Sequence, residues 1–255
     1  MTALDRVFAL ERIEQVAEAP EEVMFFAAGY YDGRTPETQR AMYRGRVTRS
    51  LVRPLLRGAD TESWKFGATD YILWTHDDAS GRVLEEIPHK AQQYFESHSR
   101  SLRSRSDYRE GMPLWQIFRV STSKLGMKVA WQQLSNQLGA VSVPAKIIDP
   151  VLGESTLIPL LTAYLIPVSS ETTGFAASAF LNSLPARAYC MSFAERARGS
   201  YFRFTSPVIG LIPLPEDVQA ILEKHTLTPA VERMVEISGT LHGEPARPDG
   251  PTLHD

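Results

Sequence analysis

The sequence predicts an α+β fold with mixed sheets and packed helices. Strand-like and helix-like segments follow one another without regular alternation, which disfavours a doubly wound parallel sheet. Of the 255 residues, 43% are hydrophobic and 22% are charged, as in ordinary globular proteins. A chain of this length can bury a large core, either as one domain or as two smaller ones.

Hydrophobic period and turn residues predict the individual elements. Residues 88–106 begin with Pro88 and carry Ala91, Tyr94 and Leu102 at helical spacing, so they form the clearest predicted helix. The other predicted helices are residues 51–56, residues 173–189 with interruptions at Asn182 and Pro185, and the amphipathic residues 218–237. The predicted strands are residues 6–13 (a short helix after them is the alternative), 23–31, 71–76, 115–120, 128–131 and 157–166, with a turn at 77–81.

Four features predict a cytoplasmic protein without a metal site. No run of about 18 apolar residues occurs, so no membrane span is predicted. Residues 1–18 lack the apolar region and the cleavage site of a signal peptide. Cys190 is the single cysteine, and its apolar neighbours favour a buried packing residue over a reactive thiol. The six histidines show no metal-ligand spacing and are expected to be structural or surface residues.

The net charge of −3 conceals a basic centre between two acidic ends. Residues 1–37 and residues 216–255 each contain eight acidic and three basic side chains. Residues 38–215 contain 21 Lys and Arg against 14 Asp and Glu, a net charge of +7. We therefore expect an acidic lead-in (1–37), a basic domain that faces phosphates (38–215), and a C-terminal helix with an acidic, Pro-rich tail (216–255).

Three segments concentrate the basic side chains. Residues 39–58 contain six arginines and no acid, which suits phosphate oxygens and the guanine edge; a solvated helix face is the alternative. Residues 100–109 contain four arginines near a helix end, where the helix dipole alone explains one or two of them. Residues 195–204 interleave arginines with Gly199 and aromatic residues, typical of a loop on a nucleic-acid backbone; for Phe202 and Phe204 a half-buried strand is favoured.

Several blocks in this order resemble the target-recognition domains of TaqI-like and type IIG adenine-specific DNA methyltransferases. The blocks cover about residues 46–216: VRPLLRGAD (52–60) with Trp64, residues 71–77, LRSR (102–105), Trp115-Gln116 with Arg119, KVAWQ (128–132), residues 164–167, FLNS (180–183) and GSYFRFTSPVIGLIPLP (199–215). The resemblance implies a module that reads duplex DNA while a separate fold binds S-adenosylmethionine and flips out adenine.

The catalytic motifs of those enzymes are missing from this sequence. Their Asn or Asp is followed by Pro-Pro and an aromatic residue, whereas this chain has no Pro-Pro dipeptide and only Asp149-Pro150-Val151 as a partial match. Residues 29–33 (GYYDG) do not form a Gly-rich cofactor loop. We therefore expect no catalytic residue, no cofactor and no metal in this chain.

The sequence thus favours a DNA-recognition subunit or fragment that acts with a methyltransferase or another restriction-modification or phage-defence catalytic chain. The alternatives are a stand-alone DNA-binding or regulatory protein derived from such a domain, and a cryptic nuclease. Alanine at Arg44, Arg46 and Arg49 is expected to weaken salt-sensitive binding to duplex DNA. The candidate DNA contacts are Arg40, Arg44, Arg46, Arg49, Arg100, Arg103, Arg105, Lys124, Lys128, Arg196, Arg198, Tyr201 and Arg203.

Overall fold

A computed structural model describes residues 7–27, 43–159 and 162–213 and confirms the α+β class. The helices are α1 (His89–Ser97), α2 (Ser99–Arg103), α3 (Glu171–Asn182), α4 (Leu184–Phe193) and α5 (Ser206–Gly210). The strands are β1 (Ala9–Gln15), β2 (Glu22–Ala27), β3 (Tyr43–Thr48), β4 (Val52–Leu56), β5 (Thr61–Glu62), β6 (Lys65–Phe66), β7 (Asp70–Leu73), β8 (Lys128–Gln132), β9 (Leu134–Ser135), β10 (Ala140–Val143), β11 (Lys146–Asp149), β12 (Gly153–Thr156), β13 (Ile158–Pro159), β14 (Ala163–Pro167), β15 (Glu195–Arg196) and β16 (Phe202–Arg203).

The largest sheet has six strands in the order β13-β4-β7-β1-β2-β3. Every pair is antiparallel except β13 with β4. β1 and β2 belong to the predicted acidic lead-in, and yet they pair with β7 and β3 in this sheet. The pairing therefore crosses the boundary that was predicted near residue 38.

Helices α1 and α2 cover one face of this sheet. Phe95 packs on Phe8 with ring centroids 5.0 Å apart, and Tyr94 meets Phe25 edge to face at 5.1 Å. Leu102 of α2 is fully buried in the same apolar core. The predicted helix at residues 88–106 is confirmed for α1 and α2, with an interruption at His98.

A second core forms around the antiparallel sheet β10-β8-β14. Trp131 and Phe204 are fully buried there, and Trp131 Nε1 donates a hydrogen bond to the Phe204 carbonyl at 2.8 Å. Cys190 of α4 is also fully buried, as predicted, and burial raises the pKa of its thiol to about 11. The thiol is therefore protonated at neutral pH and acts as an apolar packing group.

The break between α3 and α4 occurs where the sequence predicted it. Ser170 caps α3 by accepting a hydrogen bond from the Thr173 amide, and Ser183 caps α4 in the same way for Ala186. The Asn182 side chain accepts from the Ala140 amide at 2.9 Å and donates to the Ala140 carbonyl at 2.7 Å. Asn182 thus pairs with strand β10 as a neighbouring strand would, which joins the helices to the sheet.

Two predicted elements are wrong. Residues 51–56 were expected to be helical, but Val52–Leu56 is strand β4, preceded by a short 3-10 turn at Arg49–Leu51. Periodicity does not distinguish a short apolar run in a buried strand from one in a helix. Residues 115–120 were expected to form a strand and are irregular. At the start of this segment the Trp115 carbonyl accepts a hydrogen bond from the Thr75 hydroxyl, and the Gln116 carbonyl accepts one from the Arg105 guanidinium, in place of a strand partner.

Strands were also predicted at residues 6–13, 23–31, 71–76, 128–131 and 157–166. The described parts of these segments contain β1, β2, β7, β8 and, for the last, the two strands β13 and β14. The predicted turn at residues 77–81 is confirmed, with the Gly81 amide bonded to the Asp77 carbonyl at 2.8 Å. The helix predicted at residues 218–237 lies outside the described residues. No described helix is long and apolar enough to cross a bilayer.

Candidate nucleic-acid interface

The first basic segment begins on an edge strand, β3, next to β2. Arg44 and Arg46 are two residues apart and therefore project from one face, while Val47 points into the core. Both arginines are exposed, and Arg46 pairs with Glu18 at 2.7 Å. Arg44 has no hydrogen-bond or ion-pair partner among the described residues, so its guanidinium is available to a ligand. Arg40, the first candidate of this segment, lies outside the described residues.

The solvent face around β3 carries charges of both signs. The Arg12 guanidinium lies 4.2 Å above the Phe26 ring and forms an ion pair with Glu14 at 3.1 Å. Phe26 stands directly opposite Arg44 in the β2–β3 register. Because carboxylates neutralise part of this face, it is less basic than the sequence of residues 39–58 suggests.

Arg49 and Arg53 line a groove between the first sheet and the β11–β12 hairpin. The groove has a volume of about 580 Å³ and is also lined by Glu21, Asp78 and Glu154. Arg53 donates to the Ser50 carbonyl at 2.7 Å and lies 3.5 Å from Asp78. Arg49 lies in the 3-10 turn and Arg53 on strand β4, and the groove brings the two arginines together.

The second basic segment divides into exposed and buried arginines. Arg100 and Arg103 are exposed on the last turn of α2, and Arg103 lies 6.0 Å above the Tyr108 ring. Arg105 is instead half-buried and donates to three carbonyls, those of Leu102, Leu114 and Gln116, at 2.7 to 2.9 Å. Burial lowers its pKa. Arg105 therefore holds the end of α2 against the loop before β8, and we withdraw it from the candidate DNA contacts.

Lys128 is also removed from the candidate contacts. The side chain begins strand β8 and is fully buried, with Nζ bonded to the Leu157 carbonyl at 3.4 Å. Burial lowers its pKa to about 8. A buried ammonium cannot reach a surface ligand, so Lys128 is a structural residue within the second sheet.

Lys128 makes stability depend on pH in a defined window. Its pKa is lowered in the folded state, so the unfolded chain binds more protons between about pH 8 and about pH 10.4. Lys128 by itself should therefore make the free energy of unfolding rise with pH through that window, by up to about 3 kcal/mol, whereas the raised pKa of Cys190 makes it fall there. Urea unfolding at several pH values isolates the Lys128 contribution as the difference between the wild-type protein and the Lys128→Met variant, and that difference should change in favour of the wild type as the pH rises. An identical pH profile in both proteins would contradict the assignment.

The third basic segment forms a hairpin from β15 and β16 that joins β9. Arg196, Arg198 and Arg203 are exposed, as is Tyr201, at 47% of its surface. Gly199 has φ of 76°, a left-handed conformation that glycine adopts without strain, and it allows the tight loop between the strands. Phe204 is fully buried and Phe202 half-buried, in agreement with the predicted half-buried strand.

The charges on this hairpin are almost entirely positive. Arg203 lies 3.6 Å from the exposed Glu195, which is the one acid of the segment. Arg196 lies 5.7 Å from the Phe202 ring centroid, and Arg198 has no ion-pair partner among the described residues. Two uncompensated guanidinium groups and an exposed tyrosine are therefore presented together on one small element.

Two further titratable residues, His76 and Asp78, are held within the fold. His76 is buried, and desolvation lowers its pKa to about 4, so it is neutral at physiological pH. Asp78 accepts hydrogen bonds from Trp74 Nε1 at 2.6 Å and from the Thr156 hydroxyl at 3.2 Å, so its carboxylate holds neighbouring elements together. Within residues 7–27, 43–159 and 162–213 no group of three or more His, Cys, Asp or Glu is arranged to hold a metal.

Two exposed residues were missed as candidates. Arg119 and Trp64 have φ of 61° and 69°, values that bulky side chains rarely adopt. Trp64 is 36% exposed in the two-residue turn between β5 and β6. No local sequence signal marks these positions, because Gly or Asn is the usual occupant of such a conformation.

Comparison with protein-family models and with curated proteins gives no match. Among solved structures, the chain is similar to one described as the Type IIL restriction-modification enzyme MmeI in complex with DNA. The TM-score is 0.48 and the sequence identity 11%, over 96% of this chain. The chain spans 33% of the length of that protein.

Proposed function

We propose that this chain is a DNA target-recognition module that works with an adenine-specific DNA methyltransferase or another restriction-modification or phage-defence catalytic chain. The observation that carries the proposal is the β15–β16 hairpin, which exposes Arg196, Arg198 and Tyr201 with one neighbouring acid. Arginine forks suit phosphate oxygens and guanine, and an exposed tyrosine provides a ring for stacking. Tyr201 and the neighbouring Arg203 belong to the block of residues 199–215 that resembles those recognition domains.

Other cations at the surface extend this interface in the proposal. Arg44 on β3, Arg100 and Arg103 on α2, and the half-buried Lys124 before β8 contribute further positive charge. Arg46 and Arg49 contribute less, because Glu18 pairs with the first and acids line the groove of the second. We place the recognition domain at residues 38–215, with β1 and β2 completing its sheet.

Catalysis belongs to the partner chain in this proposal. The acidic segment from residue 216 is proposed to face that partner, since like charge keeps it away from DNA. Binding to DNA by the chain alone is then weak and strongly dependent on salt, because phosphate contacts supply most of it. The partner adds the remaining contacts and the chemistry.

A salt titration of duplex binding tests the proposal. The Arg196→Ala/Arg198→Ala variant should bind duplex DNA about ten-fold more weakly, with the slope of log K against log salt smaller by about two. Fluorescence anisotropy of a labelled duplex measures both quantities. The matched control is Lys90→Ala/Lys146→Ala, which also removes two exposed cations, but ones paired with Glu22 and Glu154.

The outcomes separate the hypotheses. A loss confined to the hairpin variant supports the proposal, whereas equal losses in both variants indicate attraction by overall charge alone. Absence of duplex binding by the wild-type chain, both alone and with a methyltransferase that lacks a recognition domain, would refute it. Methylation or cleavage of DNA by the purified chain alone would move catalysis into this chain.

A further inference from the structure

A cleft outside the three basic segments lies where the loop before β8 meets β14. Arg119, Lys124, Tyr164 and Ser206 line it together with the apolar Pro159 and Leu165, and its volume is about 340 Å³. No carboxylate belongs to the described residues that line it. Two cations and two hydroxyl-bearing side chains around a space of this size match one phosphate and its adjoining sugar.

The backbone places Arg119 at this cleft at an energetic cost. Its φ of 61° is unfavourable for a long side chain, and the Lys124 ammonium donates to the Arg119 carbonyl at 3.2 Å. That hydrogen bond links the turn at Arg119 to Lys124 and holds the Lys124 ammonium beside the Arg119 backbone. Strained residues of this kind persist where the surrounding structure imposes them, and they cluster at binding sites.

One carboxylate competes for Arg119. The guanidinium of Arg119 lies 3.5 Å from Asp107, and these two side chains are 72% and 43% exposed. An exposed pair at this distance contributes little free energy, so a phosphate can displace the carboxylate readily.

The opposite wall of the cleft is rigid. Tyr164 of β14 stacks on the fully buried Trp131, with ring centroids 6.1 Å apart. Strand β14 pairs with β8 along its whole length, which fixes the position of Leu165 as well. A ligand therefore meets a preformed wall, and little ordering of the protein accompanies binding.

We propose that this Arg119–Lys124 cleft binds a phosphate group of the DNA backbone, with Arg119 and Lys124 as charged contacts and Tyr164 and Ser206 as hydroxyl partners. The inference rests on the proposed DNA-binding function and adds a defined site to it. Phosphate contacts fix the register of a protein on duplex DNA without reading its sequence. The cleft therefore contributes affinity and orientation, not base specificity.

The Arg119→Asn/Lys124→Gln variant tests the cleft. Asparagine tolerates the left-handed backbone at position 119, so the turn is preserved while both charges are removed. Duplex affinity should fall about ten-fold or more, and the salt slope should decrease by about two. The single Lys124→Gln variant, which leaves Arg119 in place, should lower the slope by about one. Thermal melting of each variant establishes that it is folded, and Lys90→Ala/Lys146→Ala is the control for charge.

A second arm uses inorganic phosphate in place of DNA. At constant ionic strength, replacing chloride by phosphate should raise the melting temperature of the wild-type chain more than that of the double variant, which retains only the general stabilisation that phosphate gives to folded proteins. Phosphate stabilisation without duplex binding would support the cleft as a site for a free phosphate compound and refute the proposed function. Duplex binding with unchanged affinity and slope in the double variant would overturn the cleft and leave the proposed function standing. If the wild-type chain shows no phosphate stabilisation and no duplex binding, the cleft and the proposed function are both overturned.

Discussion

Replacement of Gly58 by alanine is expected to destabilise the protein by about 3 kcal/mol or more, because the new methyl group overlaps backbone. A Cβ atom at this position would lie 2.2 Å from the Thr162 carbonyl oxygen and 2.7 Å from its carbon. The Gly58 amide also donates to Thr162 Oγ1 at 3.0 Å. Relief of the overlap would require the 3-10 turn at residues 58–60 and the chain before β14 to separate. Thermal melting should show a fall of about 10 °C.

Gly67→Ala is the matched control for this prediction. A methyl group added at position 67 would have nothing within 4 Å, and the position follows the β5–β6 hairpin closely in sequence. Alanine there should leave stability unchanged or raise it by about 0.5 kcal/mol, since it restricts the unfolded chain. If Gly58→Ala melts within about 2 °C of the wild type, the close approach of the two backbones is incorrect.

Alanine at Arg105 is the second large expected effect, with a loss of about 3 kcal/mol of stability. The substitution removes three charge-assisted hydrogen bonds and leaves the carbonyls of Leu102, Leu114 and Gln116 to find other partners. It also removes the guanidinium that lies 4.7 Å from the Phe118 ring centroid. The Arg105→Lys variant should recover little of this stability, because one ammonium cannot reach three carbonyls as the planar guanidinium of arginine does.

Arg103→Ala provides the control, since it removes the same charge from the neighbouring helix end. Arg103 is exposed and donates no hydrogen bond to described residues. Urea unfolding should show a large loss for Arg105→Ala and less than about 0.5 kcal/mol for Arg103→Ala. If the Arg105→Ala and Arg103→Ala variants are equally stable and Arg105→Ala loses DNA affinity selectively, Arg105 returns to the candidate DNA contacts.

Several residues in the sequence blocks that resemble recognition domains have structural roles. Gly58 permits a close backbone approach, Asn182 pairs with strand β10, and Trp131 fills the second core. Such residues are recognisable in a sequence because the packing of the fold demands them. The exposed arginines face no comparable packing requirement.

Long periodic segments were predictable, and short apolar ones were not. The helix of residues 88–106 and the break between α3 and α4 follow from spacing and capping residues. Residues 52–56 form a strand because β7 and β13 pair with them, and those partners are distant in the sequence. Residues 115–120 form no strand, and the side chains of Thr75 and Arg105 bond to the carbonyls of Trp115 and Gln116.

By itself, the sequence determined the α+β class, the distribution of charge along the chain and the buried role of Cys190. These three properties depend on composition and on the spacing of residues near one another in the sequence, so they can be predicted without knowledge of tertiary contacts. Only the tertiary structure decided which basic residues reach the solvent: it buried Lys128, engaged Arg105 with carbonyls and brought Arg119 beside Lys124. Exposure and charge pairing are set by residues far apart in the chain, so the count of arginines in a segment does not reveal them.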